Sequence, residues 1–485
     1  MNRLLWCLLT CCVAGYAENT KPFDLGSSKF LFLDTFLLDK MKNAELTVNP
    51  PRLDALVVIA DQPWECGGIT SYGNVLFDPA ANEYRLYYVP VCWEVEPGFG
   101  LALAISKDGA HWEKPKLGVV EWKGSKENNL VVRAQREGTV IIDPNAVPEE
   151  RYALISSHPE LKTRLFVSPD GIHFTMKPET ISAIHSDSQI STFWDADKQR
   201  YFHYPRVGLD GTRATGYVST SRMDEPWPES VPVVLGRDAG DPPELDLYTN
   251  ACQKYGSAPN AYLGFPTPYY HYNAPPERAY LNAPTLAKGG KSNDGTIETQ
   301  LATSRDGVKW TRYRTPYIPL GNYDGLDVKI AMVIPGLIYE NDRIYQYFMG
   351  YTFTHGDTQV RYGEGGRELG GVLRVEQRLD GFISLDFDYT GGTVVTAPFT
   401  FGGKTLMLNL NTSASGEARV AILDASGNEI EGFGLGVARF INGNHVRKTV
   451  EWRDGTTDVS HWAGKPIRLR FECRGTKLYS FRFEE

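Results

Sequence analysis

Acidic side chains recur along this chain just ahead of short apolar runs. Glu65 follows Trp64, Glu137 follows Arg136, Asp187 stands between His185 and Gln189, Glu244 and Asp246 precede Tyr248, and Asp324 and Asp327 precede Lys329. Two carboxyl groups, one protonated and one ionised, can break a glycosidic bond: the first protonates the leaving oxygen, and the second acts on the anomeric carbon directly or through a water. Asp187, just before the apolar run 190–194, and Asp246, just before Leu247-Tyr248-Thr249, are the candidates for the base or charge-setting carboxylates. Glu65 is the candidate proton donor, because the neighbouring Trp64 ring could raise its pKa or stack on a sugar. Candidate substrate contacts are Asp34, Trp64, His185, Arg206, Tyr248, Asp327, His355 and Arg361. Of these, Arg206, His355 and Arg361 suit hydroxyl, carboxylate or sulfate groups.

The elements that must position these groups form an internal repeat. One unit is an apolar strand, a turn that often begins with Asp, and a Tyr-rich strand. Asn74-Val75-Leu76-Phe77-Asp78-Pro79 leads to Tyr84-Arg85-Leu86-Tyr87-Tyr88, Thr139-Val140-Ile141-Ile142-Asp143-Pro144 to Arg151-Tyr152-Ala153-Leu154, and Ser191-Thr192-Phe193-Trp194-Asp195 to Arg200-Tyr201-Phe202-His203-Tyr204. Weaker copies start near Ala251 and Leu337. Each pair reads as a hairpin. A second strand pair follows several hairpins and carries Ser-x-Asp-Gly-x-x-aromatic, as in Ser106-Lys107-Asp108-Gly109 with Trp112, Ser168-Pro169-Asp170-Gly171 with Phe174, and Ser304-Arg305-Asp306-Gly307 with Trp310. Asp-Gly makes the tight turn and the aromatic packs back over it. About four strands per unit, repeated five times between residues 60 and 385, predict a β-propeller. In a propeller the residues just before each innermost strand converge on one axial pocket, which is why the acids above are the candidates. Asp143 and Asp78 occupy the same hairpin position at the outward side. From about residue 386 the pattern changes to alternating strands punctuated by Gly402-Gly403, Ser426-Gly427-Asn428 and Asp454-Gly455, which predicts a β-sandwich.

Of 485 residues 42% are hydrophobic and 22% charged, the composition of a globular chain, and the net charge of −9 with no basic run argues against nucleic acid as a partner. Residues 1–17 read as a signal peptide: Arg3, an apolar run from Leu4 to Val13 too short to span a bilayer, then Gly15-Tyr16-Ala17. The protein is therefore expected to be secreted or periplasmic. Its four remaining cysteines, Cys66, Cys92, Cys252 and Cys473, match no metal-ligand spacing, and a Cys66–Cys92 disulfide suits an exported chain.

The blade opening, from Glu65 through Asn74-Val75-Leu76-Phe77-Asp78 to Trp112, resembles that of invertase/fructanase and arabinanase/xylosidase-type glycoside hydrolases and of mannoside phosphorylases. The stretches Phe32-Leu33-Asp34, Leu379-Asp380-Gly381-Phe382 and Gly402-Gly403-Lys404-Thr405-Leu406 resemble secreted bacterial proteins with an invertase-type N-terminal domain. The resemblance implies a five-bladed propeller, a C-terminal sandwich and action on carbohydrate. The invertase nucleophile motif Asn-Asp-Pro-Asn-Gly is absent, Ile142 replaces the Arg of an Arg-Asp-Pro motif at Asp143, and Trp64-Glu65-Cys66 lies in the first blade rather than the third. No site role is carried over.

The sequence thus predicts an all-β chain: signal peptide 1–17, five-bladed β-propeller 18–385, β-sandwich 386–485. The expected function is glycoside hydrolysis of a plant or algal poly- or oligosaccharide by axial carboxylates. A non-catalytic carbohydrate-binding propeller, or a polysaccharide lyase using Tyr248, Tyr270 or His355 as base, is the alternative. No cofactor motif is present, although central aspartates could hold a structural Ca²⁺, and no later segment is apolar enough to span a membrane.

Overall fold

The computed structural model describes residues 22–90, 100–133, 137–157, 162–184, 186, 188–242, 245–272, 294–356 and 366–485. Among them the chain is built of β-strands, and the helical pieces are three-residue 3-10 turns such as Pro63–Glu65. Of the seven sheets among the described residues of the first part, five follow one another along the chain. Sheet I is Ile69–Asp78, Glu83–Pro90, Gly100–Ser106 and Leu130–Arg133; sheet II is Gly138–Ile142, Tyr152–Ser157, Thr163–Ser168 and Thr175–Ser182. Sheet III is Ser191–Asp195, Arg200–Tyr204 and Val218–Thr220; sheet IV is Gln253–Lys254, Tyr262–Gly264, Thr299–Ser304 and Trp310–Ile318. Sheet V is Ile330–Glu340, Arg343–Tyr351 and Gly370–Arg378, and its fourth strand is Arg52–Val58, which comes from ahead of sheet I. The N-terminal part of the chain therefore joins the last sheet to the first.

The first strands of these sheets meet in a ring. The Asn74 side chain both donates to the Val140 carbonyl at 2.9 Å and accepts from the Val140 amide at 2.8 Å, joining sheets I and II. Thr139 Oγ1 donates to the Ile190 carbonyl (2.8 Å), Ser191 Oγ to Asn250 Oδ1 (2.9 Å), and the Gly336 amide to Gln253 Oε1 (3.0 Å). Gly336 then packs so closely on sheet I that a Cβ there would stand 2.3 Å from the Val75 carbonyl oxygen. Buried backbone groups need partners, and here the first-strand side chains supply them across sheet boundaries.

The repeat also explains the tyrosines. At the hairpin end, Asp78 accepts from Tyr152 Oη of the next sheet, Asp143 from Tyr201 Oη at 2.6 Å, and Asp195 from Tyr262 Oη. The turns Ser106–Gly109, Ser168–Gly171 and Ser304–Gly307 share one geometry. The serine hydroxyl accepts from the glycine amide (2.9, 3.0 and 2.8 Å), while the aspartate accepts from the next two amides. The glycine carbonyl takes a hydroxyl from the second strand of a neighbouring sheet: Tyr347 to Gly109 (2.7 Å), Tyr87 to Gly171 (3.0 Å), Tyr204 to Gly307 (2.8 Å). Gly109 is required twice over, by its φ of +68° and by the 2.6 Å that would separate a Cβ from Tyr347 Oη.

Two further six-stranded sheets share one apolar core. Leu408, Leu410, Phe481 and Phe483 on one face Val420, Ile422, Leu469 and Phe471 on the other, with Trp452 fully buried among them. A boundary at 385/386 does not separate these sheets from the ring. Phe23–Asp24, Phe30–Leu31, Leu38–Lys42 and Glu45–Val48 all pair with strands from beyond residue 382. The N-terminal segment crosses to the C-terminal sheets before supplying the fourth strand of sheet V.

Candidate ring-end site

The strand starts of the ring converge at the end opposite the hairpins, and Gln189 ties them together. It is 1% exposed, its Nε2 donates to the carbonyls of Ser71 (2.7 Å) and Val333 (2.9 Å), and its Oε1 accepts from the Ala251 amide (2.8 Å). One side chain thus holds sheets I, III, IV and V in register. Ser188 Oγ adds a 2.9 Å bond to the Tyr248 carbonyl.

Above this knot lies a cavity of about 30 Å³, lined by Tyr72, Tyr248, Tyr351, Phe353 and His355 together with Ile69, Ile330, Met332 and Met349. A space of this size admits a hydroxyl group or about one or two waters, so a sugar would present an edge to it rather than enter whole. Three short strands stand beside the cavity, with the Tyr269 ring against those of Tyr248 and His355: Asp246–Leu247, Pro268–His271 and Gly295–Ile297, which extend sheet V beyond its first strand through the pair Ile297–Ile330. Asp246 lies opposite Tyr269 in this ladder. Strand alternation puts Tyr269 and His271 on one face, with ring centroids 3.8 Å apart, and Tyr270 on the other.

Asp246 is 0% exposed and saturated with donors. Its Oδ1 accepts from the Arg213 amide (2.7 Å), and its Oδ2 from Arg213 Nη1 (2.5 Å), with His271 Nε2 at 2.7 Å. The guanidinium of Arg213 also lies 4.9 Å from the Tyr248 ring centroid, within cation–π range. Burial opposes the Arg213 charge, but the Asp246 carboxylate beside it holds the Arg213 pKa above its ordinary value. Tyr248 in turn anchors a hydroxyl chain. Tyr72 Oη donates to Tyr248 Oη at 3.1 Å, His355 Nε2 stands 3.0 Å from Tyr248 Oη, and Tyr269 Oη stands 3.2 Å from His355 Nδ1. Burial drives the Tyr269 phenol far above its usual pKa, so it stays neutral.

Of the residues singled out from the sequence, Asp246, Tyr248 and His355 come together here. Asp187, His185 and Arg361 lie outside the described residues, as does Glu244. Glu137, ahead of the first strand of sheet II, is 0% exposed. Arg206 begins the strand Arg206–Leu209 beside the Arg213 hairpin, its amide 3.4 Å from Ser186 Oγ.

The other candidates stand elsewhere. Glu65 is 0% exposed, and Oε2 accepts from the amides of Asp61 (2.8 Å) and Gln62 (2.9 Å). Lys114 Nζ reaches both oxygens (2.7 and 2.8 Å), and Tyr88 Oη donates to Oε1 at 2.6 Å. The amides of Asp61 and Gln62, the Lys114 ammonium and the Tyr88 hydroxyl thus occupy both oxygens, and Glu65 does not line the ring-end cavity, so nothing there supports it as the proton donor. Trp64 likewise donates to Asn129 Oδ1 (2.7 Å) and packs edge-on to Trp122. Asp34 is bound by Arg305 (2.9 Å) and accepts from the Phe36 amide (2.9 Å), which fastens the N-terminal segment to sheet IV. Asp327 is exposed on the ribbon Gly321–Tyr323 with Leu326–Val328. Tyr270, on the reverse face, lies 3.3 Å from Glu298 Oε1, and burial raises the pKa of Glu298. Sequence reasoning missed Arg213, Tyr269 and His271. The Asp210-Gly211 turn ahead of Arg213 marks its hairpin, and Tyr-Tyr-His signals an alternating strand, but neither names the partner.

Cys66 is disulfide-bonded, and Cys92 lies outside the described residues. Cys252 and Cys473 are free and buried. Among the described residues no group of three His, Cys, Asp or Glu stands close enough to hold a metal ion, and no helix is long and apolar enough to cross a membrane.

No protein-family model and no curated protein matches this chain. Solved structures are similar at low identity. The chain resembles the α-L-arabinofuranosidase of Podospora anserina in complex with cellotriose (11% identity, 68% of this chain and 98% of that one, TM-score 0.44). It also resembles the GH32 β-fructofuranosidase of Bombyx mori (11% identity, 90% and 95%, TM-score 0.40). An N-acetylgalactosamine deacetylase from F. plautii is similar as well (13% identity, 75% and 96%, TM-score 0.38).

Proposed function

We propose that this chain is a glycoside hydrolase: a five-bladed propeller, sheets I to V, carrying a β-sandwich that its N-terminal segment helps to build. The observation that carries the reading is the Asp246–Arg213–His271 cluster beside Tyr248 and His355, at the one end of the ring where strand starts from different sheets converge. Asp246, saturated by Arg213 and His271 and outside the cavity lining, serves in this reading as the charge-setting carboxylate that fixes Arg213 against Tyr248, and not as a base. Asp187 is the second carboxyl in this reading. The apolar run at 4–13 is an export signal, consistent with a polysaccharide or oligosaccharide substrate met outside the cytoplasm.

A panel of plant and algal glycans, with reducing ends counted, tests the proposal. Asp246→Asn and Asp187→Asn should each leave a folded protein that has lost most of its cleavage. Unchanged hydrolysis in both variants would remove the site assignment. One observation favours a second reading: the Tyr248–His355 pair beside Arg213 is also the equipment for eliminating across a uronate. An ultraviolet-absorbing unsaturated product, in place of a plain reducing end, would select it.

A further inference from the structure

The withdrawal of Glu65 leaves the proposed hydrolysis without its proton donor, and the lining of the ring-end cavity bears on what replaces it. The titratable side chains among the described residues lining that cavity are Tyr72, Tyr248, Tyr351 and His355, with no carboxyl group among them. Tyr351 is committed to sheet I, where its Oη donates to the Ile69 carbonyl and accepts from the Ile69 amide, both at 2.8 Å. Tyr72 donates to Tyr248. Tyr248 is therefore the hydroxyl on which the arrangement converges.

Its surroundings place a cation and two hydrogen-bonding groups around the hydroxyl oxygen. A free phenol, with a pKa of about 10, is a weak acid at neutral pH, so catalysis by one depends on stabilising the phenolate. Arg213 places a guanidinium over the Tyr248 ring at 4.9 Å. Tyr72 Oη at 3.1 Å and His355 Nε2 at 3.0 Å can both donate to a phenolate oxygen. His355 is held edge-on to the Tyr248 ring (5.1 Å, 80°), which aims its nitrogen at the hydroxyl, while Tyr269 fixes the other ring nitrogen. The remaining charged neighbours, Asp246 and His271, act on Tyr248 through Arg213.

We infer that Tyr248 is the catalytic acid of the proposed hydrolysis and that His355 is its positioning residue. The Tyr248 hydroxyl proton passes to the glycosidic oxygen as the bond from that oxygen to the anomeric carbon breaks. A water then gives its hydroxide to the anomeric carbon and its proton, by way of the hydrogen-bonded groups, back to the phenolate. One water is consumed and the enzyme returns to its starting protonation.

The inference rests on the hydrolase reading, and leaving-group dependence separates the two. The full chain is assayed on the panel glycan it cleaves and on the dinitrophenyl glycoside of the same sugar, whose leaving group departs without protonation. Tyr248→Phe should lose about 10²–10⁴-fold in kcat on the natural glycan, the usual worth of a general acid, and at most about tenfold on the activated glycoside. His355→Gln should show the same selectivity with a smaller loss, and it carries the test if Tyr248→Phe does not fold. Equal losses on both substrates, or none on the natural one, would overturn the assignment of Tyr248 while leaving the hydrolase reading standing. A wild-type protein that cleaves neither substrate would overturn that reading and this role together.

Discussion

Acid should weaken this fold through one histidine. His203, on the second strand of sheet III, is 1% exposed, with its ring 4.6 Å from that of Trp227 and its Nδ1 2.8 Å from Thr192 Oγ1. Its Nε2 is buried and has no hydrogen-bond partner among the described residues. With desolvation as the cause, its pKa is pushed down to about 3 from an ordinary 6.5. The unfolded chain therefore takes up a proton below pH 6.5 that the folded chain refuses until about pH 3. Within that window stability rises with pH and is lost on acidification, by about 1.4 kcal/mol per pH unit. Between pH 7 and pH 5 the loss from this group is about 2 kcal/mol. Urea unfolding followed by tryptophan fluorescence at the two pH values, in wild type and His203→Phe, isolates it, because every other titrating group is common to both proteins. The variant keeps an aromatic ring against Trp227 but cannot take the proton, so wild type should lose about 2 kcal/mol more than the variant on going to pH 5. Equal losses in the two proteins would refute the argument that burial alone holds this imidazole neutral.

Tyr201→Phe removes the hydroxyl that Asp143 accepts across the sheet II–III boundary. Leaving a buried acceptor short of a donor should cost about 1–3 kcal/mol in urea titration, and a cycle with Asp143→Asn should show the two changes to be non-additive. Glu65→Gln should destabilise by up to about 3–5 kcal/mol, because it breaks a buried ion pair with Lys114, yet the protein that remains folded should keep its kcat. A loss of kcat without a loss of stability would return Glu65 to the chemistry. Gly109→Ala should lower the melting temperature, since φ is +68° and the new methyl group would press on Tyr347 Oη.

What the sequence carried legibly was local. The hairpins were readable because Asp-Pro and a Tyr-rich strand lie within a dozen residues of each other, and the Ser-x-Asp-Gly turns because their hydrogen bonds close within three residues. Asp143 was placed at the hairpin end by its equivalence to Asp78, and both accept from a tyrosine of the next sheet, although the partner Tyr201, 58 residues on, was invisible. The strands at 23–48 were assigned to the ring because they precede it in the chain, whereas their pairing with strands beyond residue 382 is a long-range choice made by two sheets sharing a core. Glu65 misled because a neighbouring tryptophan fits an active site and a packed interior equally well. Lys114, which decides between them, lies 49 residues away. At Asp246 the partners were not legible, since Arg213 and His271 reach it from separate hairpins.

The central claim is that substrate binds at the end of the ring marked by Asp246, Tyr248 and His355. A crystal structure of Asp246→Asn soaked with the glycan that wild type cleaves tests it most directly. The account predicts sugar density within hydrogen-bond reach of Tyr248 and His355. Ordered sugar found only in the opposite mouth of the ring, among Phe77, Ile142 and Trp194, would contradict it.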